Sequence, residues 1–194
     1  MKNKPLILAS SSIYRQELLK RLRFPFAIAS PNIEETRLPG ETPPQTALRL
    51  AEQKARALSA SYPDAFIIGS DQVAVLNGQA IGKPGNHANA VKQLTAASGN
   101  TVFFHTALCL LDSAAGTAQK KIATNEVKFR QLAAEQIERY LHAEKPYDCA
   151  GSAKSEGLGI ALIEYIRGDD PNALIGLPLI ELTTMLMRAG VVVI

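Results

Sequence analysis

Ile67-Ile68-Gly69-Ser70-Asp71-Gln72 is an apolar run that ends in small and polar residues, and its reading decides the fold. A run of this kind bounded by turn residues marks a buried strand, and open α/β sheets collect ligands at the carboxyl ends of such strands. Asp71 therefore stands at a candidate active-site edge. Just beyond it, Asn77-Gly78 separates residues 73–76 from 79–81, and Lys83 follows. Asn-Gly supplies the positive φ angles of a two-residue hairpin turn, so a β-hairpin is predicted there. Toward the amino end, Leu6-Ile7-Leu8-Ala9 runs into Ser10-Ser11-Ser12, and the stretch 15–22 has helical spacing with Leu18, Leu19 and Leu22 on one face. Strand, hydroxyl-rich turn and helix with an early arginine is an arrangement that binds phosphate, because the free N–H groups of the first turn and the helix dipole favour an anion. The two segments together point to an enzyme acting on a phosphorylated small molecule.

The remaining chain alternates helix and strand signals. Pro43-Pro44 opens a second helix in which Leu48, Ala51, Ala55 and Leu58 share a face, with Arg49, Glu52 and Lys54 off it. Asn86 caps a third helix through Leu94, and the β-rich run 101–111 turns at 112–116 to an antiparallel partner over 118–129. A fourth helix spans 132–141, a strand spans 159–166, and Pro178 opens a last helix that Gly190 ends. Helices alternating with strands, plus two hairpins, predict an α/β fold with a mixed sheet.

The bulk composition narrows the function classes. With 194 residues and no compositional break, the chain fits one domain over 1–194 with a sizeable core. Apolar residues make up 46%, yet charges interrupt every run before the ~18 residues that span a bilayer. No membrane partner and a cytoplasmic location are expected. The formal charge of +3 comes from scattered lysines and arginines, which argues against polymeric nucleic acid and allows a local cluster for a small anion. Cys109 and Cys149 form no metal-ligand spacing with the histidines and are expected to be buried free thiols. His105, on a long strand, is expected to be a core histidine.

Several separated segments together resemble the Maf family of nucleotide pyrophosphatases. They are Leu6 to Ser12 with Arg15, the pair Glu34-Glu35, Lys54, Gly69-Ser70-Asp71-Gln72, Gly82-Lys83-Pro84, Ala150-Gly151-Ser152 with Glu156-Gly157, and Gly176-Leu177-Pro178. Gln72 and the loop Ser152 to Gly157 are similar to the YceF-like branch, described as 7-methyl-GTP pyrophosphatases. The chain departs from the family in having Ile13 where proline is usual and Gln16 where a basic residue is frequent. The resemblance implies a single Maf-like nucleotide pyrophosphatase domain, a twisted mixed sheet flanked by helices as in inosine-triphosphatase-like proteins, a nucleotide cleft at strand ends, and a homodimer.

It also implies roles. Asp71 is the expected general base, and Glu35 shares a divalent cation with it, Mg²⁺ or Mn²⁺, since hard oxygen ligands suit those ions. Arg15, Lys54 and Lys83 supply positive charge for the leaving pyrophosphate, while Ser10 and Ser12 add hydroxyl and backbone donors. A cationic 7-methylguanine favours an aromatic face and a carboxylate at its edge, which makes Tyr14, Gln72 and Glu156 the candidate specificity residues; Tyr14 stands where the branch usually has tryptophan. Each residue has an ordinary explanation when taken alone. Ser12 can be a helix cap, Lys54 a solvated helix lysine, Asp71 a turn aspartate, and Glu34-Glu35 a solvated loop pair. Two alternatives to 7-methyl-GTP hydrolysis remain: a dTTP/UTP-type pyrimidine triphosphate pyrophosphatase, and a non-catalytic nucleotide-binding regulator of septum formation.

Overall fold

The computed structural model describes residues 4–194 and has an α/β architecture with an open mixed sheet flanked by helices. The chain divides into two compact units, one of residues 4–71, Thr106–Ala123 and Asp170–Ile194, the other of Gln72–His105 and Thr124–Asp169. Strands β1 (Leu6–Ala9), β2 (Phe26–Ala29), β3 (Phe66–Leu76), β4 (Gln79–Ile81), β5 (Thr101–Asp112), β6 (Thr117–Phe129) and β7 (Ile163–Arg167) have the order β2-β1-β3-β5-β6-β7, with β4 paired to β3.

In the first unit, β1 pairs parallel with β2 on one side and with β3 on the other. Helix α1 (Ile13–Lys20) connects β1 to β2, and α2 (Pro43–Ala57) carries the chain from β2 back to β3. The chain thus steps outward from β1 to β2 and then returns past β1 to β3, and a parallel sheet binds ligands in the crevice where its strand order reverses in this way. Register makes the crevice specific. Ala9 is paired with Gly69, so the Ser10–Ser12 turn leaves β1 at the level where Ser70-Asp71 continue β3 beyond its pairing with β1. The burial explains the continuous apolar run: Ile67 and Ile68 point to opposite faces and both are fully buried, as a strand covered on both faces requires. Leu8, Ile68, Leu108 and Leu110 from the sheet, Leu18 and Leu19 from α1, and Leu182, Met185 and Leu186 from α6 (Leu179–Arg188) form one core cluster.

The second unit contains the hairpin of β3 and β4, with Asn77 and Gly78 at φ 50° and 77°, as their sequence predicts. Helix α3 (His87–Ala97) is capped by the Asn86 side chain and packs against α4 (Ala134–Glu144). Strands β6 and β7 are antiparallel.

Local differences from the sequence reading have identifiable causes. The expected strand 159–166 begins as a 3₁₀ turn, Leu158–Leu162, and only Ile163–Arg167 is extended. Gly159 lies so close to the Lys154 backbone that no side chain fits, and this close approach replaces sheet pairing in that stretch. Strand β2 was not signalled, being four residues at the end of the strand order with Ala27 and Ile28 exposed. The short α5 (Pro171–Ile175), capped by Asp170, also had no periodic signature. Cys109 is a buried free thiol as expected, and burial pushes it up to about 12. Cys149 is likewise outside any disulfide but only half-buried, and His105 is also half-buried, 3.0 Å from the Thr124 hydroxyl, rather than a core residue.

Candidate active site

The first unit assembles six of the sequence-selected residues. The chain leaves β1 at Ser10, which is buried, and the Ser10 hydroxyl accepts from the Ser12 amide at 3.1 Å. Ser12 in turn caps α1, its hydroxyl accepting from the Arg15 amide at 3.4 Å. The cap explanation for Ser12 is therefore correct as structure, and it also sets the turn that leads Arg15 into the site. Arg15 donates through Nε to the Gly176 carbonyl at 2.8 Å, while Ser70, fully buried, donates toward the same carbonyl at 3.0 Å and toward the Ala107 carbonyl at 2.8 Å. Gly176, at φ 130°, occupies a conformation that disfavours any larger residue.

At the centre, Lys54 Nζ lies 2.7 Å from Asp71 Oδ1 and 2.9 Å from Glu35 Oε1. Lys54 and Asp71 are buried, whereas Glu35 is exposed. The solvated-helix explanation of Lys54 thus fails: the inward face of α2 holds Thr46, Ala47, Leu50, Ala51, Lys54 and Ala55, and Leu48 is only half-buried. The reason is Gly69. A Cβ there would overlap the Ala51 carbonyl oxygen and lie 2.9 Å from the Ala55 amide nitrogen, so only glycine lets α2 cross the strand this closely. That approach brings Lys54, the residue just before Ala55, to Asp71.

The acidic loop is anchored as well. Arg49, also on α2, forms a two-pronged bond to Glu41, 2.5 Å from Nε to Oε1 and 2.8 Å from Nη2 to Oε2, and donates to the Thr36 carbonyl at 3.0 Å. Such paired bonds fix geometry as well as charge, and here they hold the segment that carries Glu35 against the helix that carries Lys54. Sequence reading missed Arg49, Glu41 and the Gly176 carbonyl as positioning elements. An Arg–Glu pair eight residues apart has no periodic signal, although the Gly176-Leu177-Pro178 motif marked its own segment.

The electrostatics fit base chemistry. Burial pushes the Asp71 carboxyl above its ordinary value, Lys54 and Arg15 pull it back, and Glu35 pushes it further up. Burial also lowers Arg15, with Asp71 and Glu35 opposing. A carboxylate held this way is a stronger base than one in water, yet its neighbouring cations favour the ionised form. Two carboxylates that converge on one ammonium also form a hard-oxygen donor set, which suits Mg²⁺ or Mn²⁺.

Tyr14 is half-buried on α1. Gln72, half-buried on β3, Lys83, exposed after β4, and Glu156, exposed in the loop after Ser152, belong to the second unit. In that unit the Gln93 side chain on α3 joins two segments: Nε2 donates to the Gly82 carbonyl at 3.1 Å and Oε1 accepts from the Ser152 hydroxyl at 2.6 Å. Ser152 is fully buried with φ 57°, and Glu144 holds the following loop by accepting from the Leu158 amide at 2.6 Å.

The chain belongs to the Maf family: the family model described as Maf-like protein matches residues 5–189. Among the curated relatives, proteins named 7-methyl-GTP pyrophosphatase from Nitrosococcus oceani and Methylobacillus flagellatus are each 58% identical to it. The first match covers 95% of this chain and 93% of that protein, the second 98% and 99%. A protein of the same name from Ralstonia nicotianae is 59% identical, covering 94% of each chain. The structure of a HAM1 protein from Coxiella burnetii matches with a TM-score of 0.53 at 15% identity over 95% of this chain and 99% of that one, which is a likeness of fold. Among the described residues, no helix is long and apolar enough to cross a membrane.

Proposed function

We propose that this chain is one nucleoside triphosphate pyrophosphatase domain that hydrolyses 7-methyl-GTP to 7-methyl-GMP and pyrophosphate. The observation that carries the reading is the buried Lys54 ammonium shared by Asp71 and Glu35 at the carboxyl end of a parallel sheet, beside a serine turn and Arg15. Relatives named for this activity, aligned over nearly the full chain, support the choice of substrate.

Cleavage between the α and β phosphates requires charge neutralisation, an oriented water and an acceptor for its proton. Asp71 takes that proton, its rigid mount on β3 keeping the carboxylate at a fixed position. Arg15 and Lys54, with Lys83, neutralise the departing pyrophosphate, and the Ser10–Ser12 turn contributes donors to phosphate oxygens. Glu35 and Asp71 would hold a Mg²⁺ or Mn²⁺ ion, which neutralises phosphate charge and makes bound water more acidic. Tyr14 supplies an aromatic face for the cationic base, and Gln72 and Glu156 supply polar contacts to its edge. Small nucleotides are the partners, with cytoplasmic residence and a homodimer as the accompanying expectation.

The test is a panel of ordinary and methylated triphosphates assayed separately for pyrophosphate and orthophosphate. Pyrophosphate release should be fastest from 7-methyl-GTP, and Asp71→Asn should lower kcat by about 100-fold or more while leaving the circular dichroism unchanged. Full activity of Asp71→Asn, or faster turnover of UTP than of 7-methyl-GTP, would refute the assignment.

A further inference from the structure

A second group of ligand-bearing side chains lies in the second unit, outside the site described above. His87 is the first residue of α3, Glu138 and His142 are one turn apart on α4, and one ligand atom from each lies within 4.8 Å of the others. Residues four apart share a helix face, so α4 presents its carboxylate and imidazole together. His87 Nε2 is 2.8 Å from Glu138 Oε2, and His142 Nε2 is 3.7 Å from the same oxygen. A tetrahedral ion with bonds of ~2.1 Å holds its donor atoms roughly 3.4 Å apart, which falls between those two separations. The adjustment is small and uncrowded, since the three side chains are 37%, 45% and 75% exposed in the order His87, Glu138, His142.

The orientation of His87 is an independent observation. Its Nδ1 lies 3.0 Å from the Tyr147 hydroxyl, and the Tyr147 ring stands edge-on to the imidazole. A partner on one ring nitrogen selects the tautomer and leaves the other nitrogen as a ligand, the usual outer support of a metal-bound histidine. Asn86 fixes the helix start from which His87 projects, its side chain accepting from the Asn89 amide at 2.9 Å.

We propose that His87, Glu138 and His142 form a binding site for a divalent transition-metal ion of the zinc class. Two imidazoles and one carboxylate favour Zn²⁺, Ni²⁺ or Cu²⁺ over Mg²⁺ and Ca²⁺, which prefer all-oxygen sets such as Glu35 with Asp71. The ion clamps the start of α3 to the last turn of α4, and water completes its coordination on the solvent side. The site is independent of the hydrolytic reading and stands or falls separately from it.

The test is calorimetric titration of ZnCl₂ into tag-free, chelator-treated protein in excess MgCl₂, which occupies the all-oxygen set. One Zn²⁺ per chain is expected. His142→Ala, at an exposed position, should weaken binding about 100-fold, Tyr147→Phe about tenfold, and Glu35→Gln should leave it unchanged. Co²⁺ should give the visible absorption of a tetrahedral site in the parent protein and lose it in His142→Ala. Absence of Zn²⁺ binding, equal affinity in His87→Ala and His142→Ala as in the parent, or loss of binding in Glu35→Gln would each overturn the proposal.

Discussion

Replacing Gly69 by alanine tests whether the close crossing of α2 over β3 creates the site. The added Cβ would overlap the Ala51 carbonyl oxygen and sit 2.9 Å from the Ala55 amide nitrogen. Comfortable non-bonded separations are about 3.5 Å or more, so the helix must lift by on the order of 1 Å. Overpacking of this kind costs about 1–3 kcal/mol of stability. The consequence for function is larger, because Lys54 rides on the displaced helix and Asp71 on the strand. Their 2.7 Å contact would open beyond hydrogen-bonding distance, and a misplacement of about 1 Å can cost ~100-fold in rate. The assays are urea denaturation and steady-state kinetics with 7-methyl-GTP, read as separate kcat and KM values. A lowered midpoint with a kcat loss of ~100-fold is expected. The obstructing atoms are backbone, so Ala51→Gly in the Gly69→Ala chain should restore neither quantity. A Gly69→Ala protein with unchanged midpoint and kcat would show that the crossing does not position Lys54.

Three further outcomes follow from the electrostatics and the loop anchors. The acid limb of kcat/KM should lie above the ordinary carboxylate value of 3.8, move up in Lys54→Met and move down in Glu35→Gln, because Lys54 lowers and Glu35 raises Asp71; equal limbs in all three proteins would remove Asp71 as the titrating base. Glu41 is held down to about 2, chiefly by its hydrogen bond from Arg49, against an ordinary value of 4.5. A depressed acid stabilises the fold above its unfolded value and loses that contribution as pH falls, so Glu41→Gln should flatten the decline of urea stability between about pH 4.5 and 2. Gln93→Ala should leave the buried Ser152 hydroxyl without its acceptor, at a cost of about 1–3 kcal/mol, and reduce the preference for 7-methyl-GTP over GTP; an unchanged ratio would confine Gln93 to a structural role.

The strands and turns that frame the site were legible because their signals are local. Ile67-Ile68 reads as a strand buried on both faces, Asn77-Gly78 dictates a hairpin, and Ser12 and Asn86 cap the helices that follow them. Strand β2 left little trace because a short, half-exposed strand needs no apolar alternation. Residues 158–162 carry strand-like composition, yet Gly157 and Gly159 permit a compact turn that composition does not reveal. His87, Glu138 and His142 were not read as a group, since one member lies on a different helix.

The amino-acid sequence by itself determined the α/β class, the serine turn that leads from strand to helix, the identity of the acidic and basic residues, and the resemblance that names a reaction. All of these rest on neighbouring residues or on motifs preserved in order. Tertiary structure alone decided that Lys54 is buried rather than solvated, that it is shared by Asp71 and Glu35, and that Arg49 and Glu41 anchor the acidic loop. The helical pattern of α2 places Lys54 beside its apolar face without saying what that face meets. Gly69 on a strand packed beneath the helix settles the matter, because the absence of one methyl group admits the backbone and carries the ammonium into the site.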